Sequence, residues 1–159
     1  MLRLPAVPCT ALTLALSLSL ASIPLRAADA DFKSLNPSAI SIRLPADIVW
    51  KDSATGADTA TLVGDESKPG LYVMLVKWKA HHNSHPHFHP NDRFITVLSG
   101  TWWVNTGRKY DPDGMKPVPA GSFVTHYKNE VHYDGARDAD VILEIVGMGP
   151  ATAVPAETR

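Results

Sequence analysis

The chain has a single cysteine, Cys9, in 159 residues. It therefore forms no internal disulfide and offers no thiolate cluster for a metal. A dominant charge is also missing. Fifteen Lys and Arg stand against 16 Asp and Glu, for a net charge of −1 and a pI near 6.6, which excludes a basic face for nucleic acid. There is no phosphate-cradling glycine loop, internal repeat or heptad pattern, and no Ser-His-Asp set carries a nucleophile motif. From Asp29 onward no 11-residue window shows helical periodicity. What remains is a chain with 45% apolar residues, enough for one domain with a real core.

The N-terminus has the three parts of a secretory signal: a basic start at Arg3, an apolar run from Ala11 to Leu20, and small residues through Ala30. The run is shorter than the roughly 20 residues of a spanning helix, and Ser17, Ser19 and Pro24 weaken it further. Cleavage after Ala27 or Ala30 is expected, giving a mature protein in the periplasm or secreted, with no stable membrane insertion. Cys9 lies in the segment to be lost. Loss of Arg3 and Arg26 takes the balance to −3.

The rest reads as short strands with turn punctuation. Residues 40–44 alternate and stop at Pro45. The stretch 51–64 is polar, with an edge strand at 59–63. Strands are expected at 71–79, 93–98, 101–105, 122–126, 130–133 and 140–146, with a long loop over 107–115 built on Asp111-Pro112-Asp113-Gly114. Seven or more strands with frequent turns predict an all-β antiparallel sandwich or barrel.

All seven histidines lie between His81 and His132. His85, His87 and His89 occupy positions i, i+2 and i+4, which share one face of an extended strand. Pro86 and Pro90 disfavour a helix there. Imidazoles two apart on a strand are a natural pair of ligands for a divalent transition metal.

The stretch His87-x-His89-x3-Arg93-x6-Gly100 resembles the first motif of the cupin superfamily, in which a glutamate stands where this chain has Arg93. Pro119-x-Gly121, followed eleven residues later by His132, is similar to the second motif. The resemblance spans residues 65–147. It implies a jelly-roll (double-stranded β-helix) barrel, commonly a homodimer, holding one divalent metal (Fe, Mn, Zn, Ni or Cu) through His87, His89 and His132. The chain then divides into a signal peptide at 1–28, strands and a loop forming part of the barrel edge at 29–64, the barrel at 65–150 and a tail at 151–159. Asn129 stands where relatives often have Gly, and Asn tolerates the left-handed conformation well.

Arg93 departs from the pattern, because a guanidinium cannot bind a cation. A positive charge beside a dication is costly in low dielectric unless an anion lies between them. His85 or Glu130 is a candidate fourth ligand, and Arg93 is expected to meet Glu130, Glu144 or an anion. Asp92 should face away from Arg93. Arg93, Tyr72, Phe123 and His126 are the candidate ligand-binding residues, and Tyr133, like Tyr72 and Phe123, is read as core or cavity lining. His81 and His82 are read as solvent-facing, and of Trp102 and Trp103 one faces in and one out. Certain thiol dioxygenases among the cupins combine three histidines with a carboxylate-binding arginine, a similarity of ingredients only. Two functions follow: a metal-dependent enzyme on a small, anionic organic ligand, with an oxygenase favoured, or a non-catalytic periplasmic protein that binds a small ligand or metal and is itself metal-free in one version.

Overall fold

The computed structural model describes residues 32–158. The signal segment expected at 1–28 lies outside the described residues. The chain divides after Ile42 into two units. In the first, Phe32–Ser34 forms one 3-10 turn, and Asn36 closes a second turn by accepting from Ala39 and Ile40. Residues 40–42 pair with no strand, so the strand expected at 40–44 is absent.

The second unit carries ten strands: β1 (Ala57–Val63), β2 (Gly70–Trp78), β3 (His87–Phe88), β4 (Arg93–Ser99), β5 (Thr101–Thr106), β6 (Lys116–Pro119), β7 (Phe123–His126), β8 (His132–Gly135), β9 (Val141–Gly149) and β10 (Val154–Pro155). They form two five-stranded antiparallel sheets, ordered β1-β2-β9-β4-β7 and β10-β3-β8-β5-β6. The jelly-roll expected from the sequence is the fold observed.

Strand alternation builds the core. On β2, Tyr72, Met74, Val76 and Trp78 point inward; on β9, Val141, Leu143 and Ile145 do. Ile95, Val97 and Trp102 complete the packing. Each large apolar side chain buried this way stabilises the fold by about 1.5–3 kcal/mol relative to leaving it in water. Trp103, next to the buried Trp102, faces out and lies under Arg137, with the guanidinium carbon 3.8 Å from its ring centre.

Three details differ from the sequence reading. β1 starts at Ala57, so half of the polar stretch 51–64 is strand. The stretch 116–119 supplies β6, an extra edge on β5. The tail at 151–159 is part of the sheet: β10 pairs with β3, and Ala156 donates its N–H to the Pro86 carbonyl at 2.8 Å.

The turn between β7 and β8 matters most for function. Asn129 sits at φ 63°, in the left-handed region that asparagine enters more easily than most residues. Its N–H donates to the His89 carbonyl at 2.8 Å, and the Asp92 carboxylate accepts from the Lys128 N–H at 2.7 Å. Asp92 thus faces away from Arg93, and the turn is tied to the histidine segment.

Candidate metal centre

Sheet register brings the histidines together. His87 on β3 lies directly opposite His132 on β8, and His89 follows His87 by two residues on the same face. Ring centres are 5.0 Å apart for His87–His89, 4.7 Å for His87–His132 and 5.4 Å for His89–His132. One ring nitrogen from each lies within 4.8 Å of the others.

The hydrogen bonds fix which nitrogen that is. Nδ1 of His87 faces the His85 carbonyl at 2.8 Å, Nδ1 of His89 the Thr152 carbonyl at 3.0 Å, and Nδ1 of His132 the Glu130 carbonyl at 3.0 Å. A carbonyl only accepts, so each Nδ1 carries the proton and donates it. Each Nε2 is left unprotonated, the tautomer a metal ligand needs. Nε2 of His132 is buried without any hydrogen-bond partner, an orphan that a cation would satisfy. The three residues fit a divalent first-row metal.

Arg93 opens β4, on the facing sheet, with His126 of β7 and Gly147 of β9 as its register partners. Its Nη1 donates to Nε2 of His89 at 2.6 Å, while its Nε is buried and unpartnered. No carboxylate pairs with it among the described residues. The acid expected from Glu130 or Glu144 is not there. The Glu130 side chain is exposed, and Glu144 sits opposite Leu75 and Thr96, on the outward face of β9.

His126 is buried with its ring centre 3.7 Å from that of His132, and its Nδ1 has no partner. Asp134, two residues after His132, shares the inward face and is also buried. The indoles of Trp78 and Trp102 lie beside its carboxyl, although Trp102 Nε1 falls short of hydrogen-bond geometry. These groups line one end of a cavity of about 460 Å³ whose other wall is apolar, formed by Met74, Val76, Trp78, Ile95, Leu143 and Ile145.

The remaining candidates lie elsewhere. His85 is 65% exposed, bonds Glu157 through Nδ1 at 2.9 Å and stacks on Tyr110, outside the converging nitrogens. Glu130 contributes its carbonyl, not its carboxylate. Phe123 is 66% exposed on the outer face, stacked on Phe94. Tyr72 is fully buried in the core, its hydroxyl against Gly147, and does not line the cavity. Tyr133 is buried under the 107–115 loop, where its hydroxyl accepts from the Asp111 N–H at 3.0 Å. His81 and His82 are exposed. The sequence reading missed Asp134 and the Thr152 carbonyl. Alternation from His132 points to Asp134; nothing local points to Thr152.

Burial governs the charges here. It holds His126 and His89 far below the usual imidazole range and lowers His132 to about 4, with the neighbouring histidines and Arg93 adding to the effect. Asp134 is pushed the other way, up, chiefly by burial.

The sign for stability follows. Near neutral pH these histidines are uncharged in both states and contribute nothing. Below about pH 6.5 the unfolded chain takes up protons that the folded one refuses, so stability falls by about 1.4 kcal/mol per pH unit for each histidine. For His132 the loss runs down to its folded value of about 4. Asp134 offsets part of this, since its raised folded value means the folded form gains its proton first. Urea melts of metal-free protein should show a loss of at least about 2 kcal/mol between pH 7 and pH 5. Equal midpoints would contradict the burial of these rings as neutral groups.

The comparisons agree with this fold. No curated protein matches the sequence. Among solved structures, the polyketide cyclase RemF from Streptomyces resistomycificus superposes with a TM-score of 0.61 at 15% identity, covering 76% of this chain and 87% of that one. A protein with a double-stranded β-helix domain from Klebsiella pneumoniae gives 0.53 at 19% identity, covering 68% and 90%. The DMSP lyase DddQ from Ruegeria pomeroyi gives 0.55 at 16% identity, covering 72% and 64%. At such identities the likeness is one of fold. The family model of the ChrR cupin-like domain matches residues 41–152, most of the chain, and this protein belongs to that cupin family.

Proposed function

We propose that this cupin binds one divalent metal through His87, His89 and His132 and uses Arg93 to hold a small anionic organic ligand beside it. The observation that carries the reading is the shared tautomer: three Nδ1–H groups anchored on carbonyls, three Nε2 lone pairs turned to one point. A bound metal would supply Lewis acidity and open positions for substrate and dioxygen or water. The chain's own part is positioning. Arg93 has an unpartnered Nε, only a neutral imidazole on Nη1, and no salt bridge among the described residues, so a carboxylate entering the cavity finds an unpaired guanidinium fork. The apolar wall from Met74 to Ile145 then receives the ligand's hydrocarbon part and excludes water. Within the enzyme class an oxygenase is favoured. The cyclase and lyase among the structural neighbours show one fold carrying different chemistries, so fold does not choose the reaction.

One observation favours a second, non-catalytic reading. With Nη1 of Arg93 on Nε2 of His89, one of three metal lone pairs is already engaged. A barrel that binds a small anion without metal is consistent with that contact. We also propose that the protein is exported after removal of its first 28 or so residues. A symmetric homodimer through the outer face of the first sheet, where Leu71, Phe94, Phe123 and Met148 are exposed, completes the reading.

Benzoate, a carboxylate on an apolar ring, is a suitable probe. Calorimetric titration into zinc-loaded protein should give binding that Arg93→Gln weakens by about 10- to 100-fold, the loss of a charge-assisted hydrogen-bond pair. Equal affinities would remove Arg93 from the ligand site.

A further inference from the structure

The carboxylate that the first motif lacks is present in the cavity, on a different strand. His132 and Asp134 lie two apart on the inward face of β8, and His126 reaches them from β7 on the facing sheet. One ligand atom from each of the three lies within 4.8 Å of the others, and all three side chains are more than nine-tenths buried. Two ring nitrogens of the group are orphans: neither Nδ1 of His126 nor Nε2 of His132 has a hydrogen-bond partner. Asp134 has no salt-bridge partner among the described residues. A carboxylate buried without a cation is costly, as are two buried imidazole nitrogens without hydrogen bonds. A proton on Asp134 would satisfy one nitrogen at most; a cation satisfies all three groups together.

We propose that His126, His132 and Asp134 form an inner position for a divalent first-row metal, alternative to the outer position of His87, His89 and His132. Two imidazoles and one carboxylate suit such an ion, and the carboxylate supplies the negative charge that three imidazoles lack. The two positions exclude each other. His132 commits Nδ1 to the Glu130 carbonyl, so it has one lone pair and serves one cation at a time. Arg93 biases the choice. While its Nη1 sits on Nε2 of His89, the outer set is short of a ligand and the inner set is complete. An anion that draws Arg93 off His89 opens the outer position. The inner site rests on the three-histidine reading only through the shared His132.

Cobalt(II) titration followed by absorbance and equilibrium dialysis tests this, with circular dichroism as the check on folding. With benzoate present to draw Arg93 off His89, wild type, His87→Ala and Asp134→Asn should each take up one equivalent, because either position then suffices. The double variant His87→Ala/Asp134→Asn should lose uptake by at least about 100-fold in affinity. His126→Phe in the His87→Ala background, which leaves Asp134 untouched, should show the same loss. Absence of uptake by folded His87→Ala would overturn the inner position and leave the three-histidine reading standing. Full uptake by both double variants, each of which breaks both ligand groups, would overturn both positions. Uptake by His87→Ala but not by Asp134→Asn would sink the outer triad and keep the inner site. No uptake by wild type would end both.

Discussion

His132→Ala should abolish stoichiometric uptake of zinc or cobalt, raising the dissociation constant by at least about 1000-fold, or about 4 kcal/mol. Among the described residues, no other side chain belongs to both ligand groups. Its loss leaves His87 and His89 on one side and His126 and Asp134 on the other, each a two-ligand remnant. The backbone should survive, because β8 pairs with β3 and β5 through main-chain bonds and the side chain anchors only to Glu130 of its own turn. The variant should keep the β-sheet circular dichroism of wild type. The metal-free variant should also be less sensitive to acid, having one buried neutral imidazole fewer. Stoichiometric uptake by His132→Ala would show that metal binds elsewhere.

Arg93→Glu should raise affinity for a divalent metal by at least about 100-fold. The wild-type guanidinium acts against a cation in two ways. It occupies the lone pair of His89 at 2.6 Å, and it repels. At an effective dielectric of about 20 and a separation of about 5 Å, a unit charge and a dication interact by roughly 6–7 kcal/mol. Reversing that charge and adding a carboxylate ligand outweighs the cost of burying the new acid once metal is bound. Arg93→Gln, which removes the charge without adding a ligand, should fall between the two. Calorimetric zinc titration of the three proteins gives the order directly. Unchanged affinity across the series would mean that Arg93 is turned away from the metal in solution.

The histidine pair was legible because strand alternation is strict inside a strand, and β3 begins at His87. The same rule failed for His85, which lies before the strand and behind the buried Pro86. It failed for Glu130 too, since β8 begins only at His132 and the residue two earlier belongs to a turn. Phe123 was misplaced although parity was available: His126 faces in, so a residue three earlier on β7 faces out. Asp134 was equally readable by parity from His132, but a buried aspartate without a salt bridge runs against the usual fate of that residue. The least legible element is β10. Two residues, one of them proline, carry no periodic signal, yet that tail supplies the Thr152 carbonyl that fixes the His89 tautomer. Long-range backbone acceptors of this kind have no sequence signature.

The most direct test is a crystal structure of zinc-loaded protein with anomalous scattering measured at the zinc edge. The account predicts one strong peak within about 2.0–2.2 Å of His132 Nε2, sided toward His87 and His89 or toward His126 and Asp134. A peak anywhere else, or none in crystals of protein that has been saturated with zinc, would contradict it.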